Sequence, residues 1–532
     1  MGHACFDVAI IGSAFGGSLA AMIARRMGRR VVLIERGQHP RFAIGESTTP
    51  LSNYLLEQLA ATCDLPRLLP LTRWGAWQQS YPQIACGLKR GFSFFHHEAG
   101  REWTPQPDRT NELLVAASPS DAIADTHWYR PDVDHWLQQE AVSMGAEYLD
   151  QTNLETVEFG ASEVRLTGRR AGRSVRFQAT WLLDASGPRG FLSRALALPE
   201  SLWAGYPATQ GLFSHFEDVR RWEFLQDTGV APPFPPDDAA LHHVFDGGWV
   251  WVLRFRNGLT SAGCSARPEL ASQIRMADGA AAWRRLLERH PSLAWQFETA
   301  RPVRGFTHLE RMPYCCARMA GPGWALLPSA AGFVDPLMST GFSLNLLGIA
   351  RIALWMGRDG GPTALEASQY ESATAADLNA AAAMIGALHH NLGRPAIFRQ
   401  LALLYFAAAI YSETARRLGR VDLAPGFLLH GRPGFAEAAR AVIRMSLEPS
   451  VSEVKFSEAV AQTIEPVNLA GLGRPDRRHW YPVDPEDLHA AASKVGATNE
   501  AIRQMLQRAG FEGDCGPGRA RPPDLAQRGT AR

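Results

Sequence analysis

The sequence predicts an α/β fold in which a parallel-sheet domain is split by an inserted β-rich layer and followed by a helical region. Residues 6–36 follow a strand, tight turn, helix, strand order, which is how a parallel sheet of this class begins. Residues 205–305 contain alternating strands, and Asn257-Gly258 between them favours a type I′ hairpin over 243–265. Residues 364–510 show helical periodicity interrupted by Pro and Gly.

The bulk composition argues against several classes of protein. The 532 residues are 46% hydrophobic and 20% charged, which is typical of a globular protein with two or three structural units. The formal charge of +1 gives no reason to expect a nucleic-acid or anionic membrane partner. No signal-peptide pattern is seen, and the longest apolar run, residues 401–411, predicts a buried helix, not a membrane span. Seven scattered cysteines without metal-ligand spacing predict a cytoplasmic protein with no metal site.

The first strand ends in a glycine-rich turn. Gly12, Ala14 and Gly17 occupy the positions of a G-x-G-x-x-G turn, and Glu35 ends the second strand, 23 residues after Gly12. Such a turn aims backbone amides and a helix N-terminus at a pyrophosphate, while the acid accepts hydrogen bonds from a ribose. The sequence therefore predicts a dinucleotide site. Its predicted residues are Gly12, Ala14, Gly16, Gly17, Glu35 and Arg36.

The remaining elements follow in chain order. Residues 41–100 are rich in Gly, Pro and aromatic residues and predict loops over a pocket. Residues 132–145 predict a helix, residues 153–184 predict strands, and residues 324–356 predict a strand, a Gly/Pro loop and a helix.

Three further segments resemble motifs of flavoproteins with two dinucleotide-binding domains. Residues 184–187 resemble the second motif, and residues 330–336 resemble the motif whose acid, here Asp335, borders the ribityl chain and isoalloxazine. Arg130 resembles the arginine that precedes a helix in the same group, and Asp184 is the acid of the second motif. Together they imply FAD in a split Rossmann-like domain. Because no second glycine-rich unit for a nicotinamide is evident, the flavin is expected to be reduced by a separate reductase or by transiently bound NAD(P)H.

One lysine stands out. Of the 54 basic residues, lysine occurs only at 89, 455 and 494. Lys89 lies in the apolar, strand-like run of residues 86–95, whereas Lys455 has a polar helical context that predicts exposure. An amine that is removed from water can lose its proton and become a nucleophile, which a guanidinium cannot do. Lys89 is therefore the candidate catalytic residue, and the alternative is an ordinary surface lysine.

Residues 39–50, 85–89, 92–94 and 326–341 resemble segments of the flavin-dependent halogenases, most closely the phenol type, and the likeness covers roughly residues 5–355. The resemblance implies that reduced FAD and O2 convert chloride or bromide into hypohalous acid. This acid passes through a tunnel to Lys89, which hydrogen-bonds it or becomes a haloamine. The resemblance also implies a halide site at Ser339, Thr340 and Gly341, and a flavin-covering strap containing Glu46 and Ser47.

The same resemblance predicts the tunnel and the substrate. Trp249 and Trp251 share one face of a strand by their i, i+2 spacing. With Phe94 and Met338 they are expected to line the tunnel. Tryptophan halogenases of the family carry a glutamate where this chain has Met338, which implies a substrate that activates itself. A phenol or resorcinol of natural-product (antibiotic) biosynthesis, free or bound to a carrier protein, satisfies that condition.

Two rival functions remain. The family's Trp-x-Trp-x-Ile-Pro signature ends here in Arg254, which favours a flavin monooxygenase or dehydrogenase that brings its substrate to the flavin. A catalytically idle flavin-binding pathway protein is the other rival. His96 and His97 are expected in a solvated loop, with lining of the substrate pocket as the alternative.

The sequence predicts five regions and leaves the oligomeric state open. They are residues 1–204 (first part of the FAD domain, with pocket loops at 41–125), 205–305 (β-rich substrate layer), 306–360 (last part of the FAD domain), 361–511 (helical region) and 512–532 (disordered tail).

Overall fold

The structure, a computed structural model, describes residues 5–225 and 230–511. Within them a largely parallel sheet, a second sheet and a helical region are all present, which confirms the predicted fold class. The disorder predicted for residues 512–532 concerns a segment outside the described residues.

Residues 5–204 contain most of the parallel sheet and the first strands of the second sheet. In chain order their elements are β1 (Cys5–Ile11), α1 (Phe15–Arg26), β2 (Val31–Ile34), α2 (Pro50–Thr62), α3 (Trp74–Ser80), β3 (Cys86–Lys89), β4 (Gly91–His96), β5 (Glu112–Ala116), β6 (Asp125–Trp128), α4 (Arg130–Ser143), β7 (Glu147–Leu149), β8 (Thr152–Phe159), β9 (Val164–Arg170), β10 (Arg173–Asp184) and α5 (Phe191–Ala195).

Residues 205–305 form the inserted layer. Its elements are β11 (Gln210–Glu217), β12 (Ala240–Phe245), β13 (Gly248–Arg254), β14 (Thr260–Ala266), α6 (Pro268–Gln273), α7 (Ala280–Glu288), α8 (Pro291–Gln296) and β15 (Arg301–Pro302).

Residues 306–511 return to the first sheet and then become helical. Their elements are β16 (Thr307–Leu309), β17 (Tyr314–Cys315), β18 (Ala320–Gly321), β19 (Trp324–Leu326), α9 (Pro328–Ala331), β20 (Gly332–Phe333), α10 (Gly341–Met356), α11 (Ala364–His390), α12 (Pro395–Arg417), α13 (Phe435–Ser446), α14 (Glu453–Ile464), β21 (Trp480–Tyr481), α15 (Pro485–Ala490) and α16 (Asn499–Arg508).

The first sheet brings three distant segments to one edge. Its strand order is β18-β19-β10-β1-β2-β7, and the strands from β19 to β7 run parallel. Ile11 lies beside both Ile34 and Asp184, and Asp184 lies beside Leu326. The glycine turn, the turn after Asp184 and the loop after Leu326 therefore all leave from the carboxyl edge, where open α/β sheets bind ligands.

The second sheet has the order β15-β11-β14-β13-β12-β4-β5-β21. The predicted pocket-loop segment thus supplies two of its strands, β4 and β5, and also contains the helix α2. The loop expectation for residues 41–100 is therefore wrong in part. Its glycines and prolines flank regular elements. The phenylalanines of the run 92–95 are buried because both faces of β4 are covered, one by α12 and the other by Trp103 and Trp222.

The predicted hairpin is present, but its turn is of another type. β13 and β14 are joined by a connection in which Gly258 has a φ of 83°, whereas Asn257 keeps a negative φ. The N–H of Gly258 donates to the carbonyl of Phe255 at 3.2 Å. This is a type I turn followed by a left-handed glycine, and not the type I′ turn, which needs a positive φ at both central residues.

Two helical stretches, Leu337–Met356 and Pro395–Arg417, are long and apolar enough to cross a membrane by length and composition. In both, 72% of the apolar window is buried inside the protein. We interpret them as core helices, in agreement with the buried helix predicted around residues 401–411.

Candidate active site

Lys89 occupies the junction of two sheets. It is the last residue of β3, which pairs with β6, and after Arg90 the chain continues as β4 of the second sheet. The N–H of Arg90 donates to the carbonyl of Asp238 at 2.7 Å, which holds this break in the strand. The Lys89 side chain is 0% exposed, so the surface-lysine alternative is excluded.

The Lys89 amine is held by groups from distant parts of the chain. Its Nζ donates to the carbonyl oxygen of Thr48 at 2.5 Å and to Oγ of Ser339 at 3.5 Å. It also lies 3.9 Å from the centroid of the Phe92 ring, a distance at which a cation is attracted to the ring face. The predicted lysine and the predicted halide loop are thus brought together.

Burial changes the acidity of this lysine. Loss of hydration lowers the pKa of Lys89 to about 7, against an opposing attraction to the Asp125 carboxylate. Burial likewise raises the pKa of Asp125 to about 7, and Lys89 opposes that rise. The neutral amine is therefore more accessible to Lys89 than to an exposed lysine, which is what a nucleophile or proton carrier needs.

The predicted halide loop leads into α10. Met338 and Ser339 have φ values of 65° and 54°, a left-handed conformation that residues with side chains rarely adopt. The hydroxyl of Tyr405 donates to the Met338 carbonyl at 2.9 Å and holds this turn. A Cβ added to Gly341, the first residue of α10, would meet no atom within 4 Å. The turn therefore presents the amides of a helix N-terminus to open space, which favours an anion.

The glycine turn has the tight geometry that a dinucleotide site requires. Gly12 has a φ of 94°, and a Cβ on Gly17 would lie 1.9 Å from the Gly12 carbonyl oxygen. Ala14 is the N-cap residue of α1, and a Cβ on Gly16 would lie 3.0 Å from Leu327. Side chains larger than hydrogen are thus excluded where the turn folds back on itself.

Glu35 is buried and fully engaged within the protein. It accepts hydrogen bonds from N and Oγ of Ser13, each at 3.1 Å, from N of Gly37 at 2.9 Å and from Nη2 of Arg41 at 2.9 Å. Burial alone would raise the pKa of Glu35, but Arg41 and these donors lower it overall. Its predicted neighbour Arg36 is exposed. A ribose at Glu35 would have to displace a donor, and Arg41 is a half-buried side chain at 28% exposure.

Arg130, Asp184 and Asp335 also form hydrogen bonds to other protein groups around the predicted cofactor site. Arg130 donates to both oxygens of Asp134, at 3.0 and 2.8 Å, and to the carbonyls of Ile44 and Gly45 in the strap. Asp184 accepts from N and Oγ of Ser186 and from N of Leu192. Asp335 accepts from N of Leu337 and Oγ of Ser265, and lies 3.2 Å from His389.

The strap itself is anchored on both sides. Ser47 forms a β-bridge with His127, and its buried hydroxyl has no hydrogen-bond partner within the described residues. Glu46 pairs with His215 of β11 at 2.9 Å, and both side chains are almost completely buried. The strap therefore links the β3–β6 pair to the inserted layer.

Arg254 lies on the face of β13 opposite Trp249 and Trp251. The two indoles are buried in the cluster that joins both sheets, whereas Val250 and Val252, with the parity of Arg254, belong to the outer cluster. The Arg254 guanidinium donates to Asp237 at 2.8 Å and to the backbone carbonyls of residues 219 and 220. The Arg254 charge is thus compensated on the face of β13 opposite the tryptophans. The feature that favoured a monooxygenase therefore has a structural explanation.

A cavity of about 50 Å³ lies beside the lysine. Its walls come from α2, β4, β5, α10 and α12, and they are mostly apolar. They consist of Thr49, Pro50, Leu51, Phe92, Val115, Ala116, Ala117, Ser343, Tyr405, Phe406, Ala409, Ile410, Glu413 and Phe427. Phe92 contacts both the cavity and the lysine amine.

Phe94 and Met338 are placed differently from the expectation. Both are fully buried, but neither belongs to the cavity wall. Phe94 stacks on His242 at 4.5 Å and packs against Phe398 and Phe406 of α12. Alternate residues of β4 share a face, so Phe94 lies beside Phe92, one step further along the strand from the cavity.

His96 and His97 are not solvated. Each is 7% exposed, and with His290 they line a separate cavity of about 450 Å³ at the far end of β4. Burial lowers the pKa of His96 to about 3 and that of His290 to about 4. The expectation of a solvated loop is therefore wrong, because Phe92–Phe95 extend the buried strand up to His96.

Other sequence predictions concern cysteine and lysine. Cys5, Cys63, Cys86, Cys264, Cys315 and Cys316 are free, and no cluster of metal ligands is found among residues 5–225 and 230–511. Lys455 is exposed, as predicted.

Several groups around Lys89 have no sequence signal. Thr48, Asp125 and Tyr405 come together from distant parts of the chain, and none of them lies in a spacing pattern that identifies it beforehand. Glu413 was missed for the same reason, since it lies near the C-terminal end of an apparently ordinary core helix.

Comparison with known proteins agrees with this architecture. No family model matches the chain. The chain is 32% identical over 355 residues to tetracycline 7-halogenase of Kitasatospora aureofaciens, covering 64% of this chain and 61% of that protein. It is 28% identical over 365 residues to monodechloroaminopyrrolnitrin halogenase PrnC of Pseudomonas fluorescens, covering 65% and 61%. The chain thus spans about three fifths of the length of these relatives, and the predicted resemblance to flavin-dependent halogenases is confirmed.

Solved structures show the same fold. Halogenase PltM, determined in complex with phloroglucinol and FAD, superposes with a TM-score of 0.79 at 23% identity, covering 89% of this chain and 99% of that one. A flavoprotein/dehydrogenase from Cytophaga hutchinsonii superposes with a TM-score of 0.60 at 18% identity, covering 84% and 100%. At these identities the likeness establishes the FAD-binding fold.

Proposed function

We propose that this chain, a relative of the flavin-dependent halogenases, is an FAD-dependent halogenase that installs chlorine or bromine on an electron-rich, phenolic aromatic. The observation that carries the proposal is the buried Lys89 amine, 3.5 Å from Ser339 of the loop that opens α10. A desolvated amine beside a candidate anion site is the arrangement that relaying an oxidised halide requires.

The residues at the carboxyl edge of the first sheet fit FAD. Gly12 and Gly17 form a turn with no room for side chains, which allows a pyrophosphate to approach the backbone. Among residues 5–225 and 230–511, His39 Nδ1, Arg41 Nε and Ser47 Oγ are buried polar atoms without a hydrogen-bond partner, as expected where a polar ligand completes the site. The turn, Glu35, the strap and the Asp335 segment would hold the cofactor. When bound and reduced, FAD supplies, with O2, the oxidising power that turns halide into hypohalous acid.

Residues of this chain bind the halide, receive the hypohalous acid and separate the substrate from the cofactor. The amides of Thr340 and Gly341 at the start of α10 hold the halide, because the helix N-terminus carries partial positive charge. Lys89, kept out of bulk water, receives the hypohalous acid as a hydrogen-bond donor or, when neutral, as a nucleophile. Trp249 and Trp251 fill the space between the two sheets and keep the substrate and the cofactor apart.

The cavity beside Lys89 favours a flat, apolar substrate. Phe92 and Phe406 offer aromatic faces, and Glu413 is the charged group on the wall. Met338 supplies no carboxylate, so the ring has to be activated by its own ionised hydroxyl. A free phenol satisfies these conditions without contacts to a carrier protein. Halogenation of a carrier-bound phenol is the alternative outcome of the assay.

The remaining assignments follow from the same proposal. A separate flavin reductase supplies reduced FAD, because the sequence has no second glycine-rich unit. The free cysteines fit a reducing cytoplasm, and the context is natural-product biosynthesis.

The test is turnover with FAD, a flavin reductase, O2, chloride or bromide and a panel of free and carrier-bound phenols. Wild-type protein is expected to give a halogenated product, and Lys89→Ala and Lys89→Arg none. Lys455→Ala, at an exposed lysine, is the matched control and should keep wild-type turnover. A hydroxylated product that forms without halide would replace the proposal with a monooxygenase, and no flavin-dependent product at all would favour an idle flavin-binding protein.

A further inference from the structure

A second buried ionisable group lies directly across from Lys89. β3 and β6 form a two-stranded antiparallel sheet in which Lys89 is paired with Asp125, so the two side chains leave the same face. Asp125 is 5% exposed and Lys89 is 0% exposed. Two oppositely chargeable groups have thus been removed from water next to each other, at a cost that a purely structural pair of apolar residues would avoid.

The hydrogen bonds of Asp125 are incomplete. Its Oδ1 accepts from Nδ2 of Asn53 at 2.7 Å, whereas its Oδ2 is buried and has no partner within the described residues. A buried carboxylate oxygen of this kind is costly when it is charged, and the cost falls when the oxygen gains a proton. Asp125 is therefore built to change its protonation state.

One small network positions both members of the pair. Thr48 accepts from the Lys89 amine through its carbonyl, and its Oγ1 donates to the carbonyl of Thr126 at 2.8 Å. Asn53, the donor to Asp125, also reaches Oγ1 of Thr48 at 3.3 Å. Movement of either ionisable group would disturb the same three residues, which fixes the geometry between them.

The other titratable groups facing the pair do not replace Asp125. Burial, and to a lesser extent the Lys89 charge, lowers the pKa of His127 on β6 and of His242 on β12 to about 3, so both stay neutral at pH 7. On α12, Glu413 is bound by Arg417 at 2.6 Å, and Arg417 also binds Glu57 of α2 at 3.0 Å. Glu413 and Arg417 act on Asp125 in opposite directions.

We propose that Asp125 is a positioning residue for Lys89, which accepts the proton of the amine when Lys89 takes up halogen and returns it when the halogen leaves for the substrate. The proposal rests on the proposed function for its hypohalous acid. It extends that function by naming the group that cycles the lysine between its charged and neutral forms.

The steps balance. Asp125 faces the Lys89 amine across the strand pair without a direct hydrogen bond to it. Transfer of the ammonium proton to Asp125 converts the ammonium and carboxylate into a neutral amine and a carboxylic acid. The amine nitrogen then bonds to the halogen of hypohalous acid and releases water, which leaves an N-haloamine. Return of the Asp125 proton makes the haloamine cationic and the nitrogen a better leaving group. The ring takes the halogen, its displaced proton goes to the released amine, and the ammonium–carboxylate pair is restored.

The first test reads the lysine directly and needs no cofactor. With three lysines in the chain, full-length protein labelled with ¹³C at lysine Cε should show three resolvable signals, and Lys89→Arg identifies the one from Lys89. We expect this signal to titrate near pH 7 in the wild-type protein. In Asp125→Asn the midpoint should fall by about one pH unit or more, because the carboxylate charge that favours the ammonium is gone. Asp121→Asn, an exposed acid bonded to Arg90, is the control and should leave the midpoint unchanged.

The second test reads turnover of the FAD-loaded enzyme. Asp125→Asn should lower kcat by roughly 100-fold with little change in KM, although its lysine is more fully deprotonated. Asp125→Glu keeps a carboxylate and should recover part of the rate. Thermal unfolding of each variant excludes misfolding as the cause.

The outcomes separate the two proposals. If the wild-type chain makes no halogenated product, the proposed function fails, and the lysine titration alone still decides whether Asp125 controls Lys89. If Asp125→Asn halogenates at the wild-type rate, or if its lysine titrates as in the wild type, the role of Asp125 is refuted.

Discussion

The acids at the cofactor edge and the acid at the lysine site differ in how completely they are hydrogen-bonded. Glu35, Asp134 and Asp184 each accept hydrogen bonds on both carboxylate oxygens. Asp125, equally buried, uses one oxygen and leaves the other without a partner in the described part of the chain. The acids with hydrogen bonds on both oxygens hold backbone in place. The unsaturated acid holds little backbone, and its protonation is cheap, which suits a site that moves protons.

The largest effect is expected from crowding the cofactor edge. In Gly17→Ala the new Cβ would meet the Gly12 carbonyl oxygen at 1.9 Å, so the turn must open. We expect loss of FAD binding in a fluorescence-quenching titration, together with a lower Tm. Gly305→Ala, where a Cβ meets no atom within 4 Å, is the matched control and should bind as wild type. If Gly17→Ala kept wild-type affinity, the turn would not be the pyrophosphate site.

The next largest effect on stability should come from removing one partner of a buried ion pair in which both carboxylate oxygens are hydrogen-bonded. Arg130→Met leaves Asp134 buried without its guanidinium and frees the carbonyls of Ile44 and Gly45. We expect the free energy of unfolding in urea to fall by about 3–5 kcal/mol, which is typical of removing one partner of a buried pair. Arg440→Met, at an exposed i, i+3 pair with Glu437, should cost less than about 1 kcal/mol. Equal losses of unfolding free energy in the two variants would contradict the distinction between fully hydrogen-bonded buried pairs and surface pairs.

Removing the buried amine of the lysine site should raise the free energy of unfolding, whereas removing Arg130 should lower it. In the Asp125→Asn background, which removes the coupled acid, Lys89→Met replaces a desolvated amine by an apolar side chain of similar length. We expect a gain of about 1–4 kcal/mol in the free energy of unfolding at neutral pH. Loss of stability instead would mean that the amine contributes to folding and is not a cost borne for function.

The pH dependence of that gain has a defined sign. The pKa of Lys89 is lowered in the folded protein, so between about pH 7 and its ordinary value of 10.5 the unfolded chain binds more protons. The lysine form is therefore destabilised as pH falls through this window and regains stability as pH rises. In the Asp125→Asn background, where the Lys89 midpoint is expected below pH 7, the advantage of methionine should be larger at pH 7 than at pH 10, as measured by urea unfolding at both values.

The contrast between the two sites also marks what the sequence could reveal. The glycine turn, Glu35 and the strand order around them were predicted because local spacing dictates a turn, a helix and an acid at the end of a strand. Lys89 was found from its rarity and its apolar surroundings. Asp125, Thr48 and Tyr405 were not found, because their approach to Lys89 depends on the pairing of β3 with β6 and on the packing of α12. The burial of His96 was missed since it depends on which strands flank β4.

The smallest and sharpest comparison uses two threonines of the lysine site. The Thr48 hydroxyl donates to the Thr126 carbonyl and accepts from the Thr126 N–H, whereas the buried hydroxyl of Thr126 has no partner in the described residues. Thr48→Val should cost about 1–2 kcal/mol of unfolding free energy, because it removes the acceptor of the Thr126 N–H and one of the two donors to the Thr126 carbonyl. Thr126→Val removes an unsatisfied hydroxyl at nearly constant volume and should stabilise the protein by up to about 1 kcal/mol. If both variants lost stability equally, the Thr126 hydroxyl would have a hydrogen-bond partner. The polar groups of the lysine site would then be as completely hydrogen-bonded as the acids at the cofactor edge.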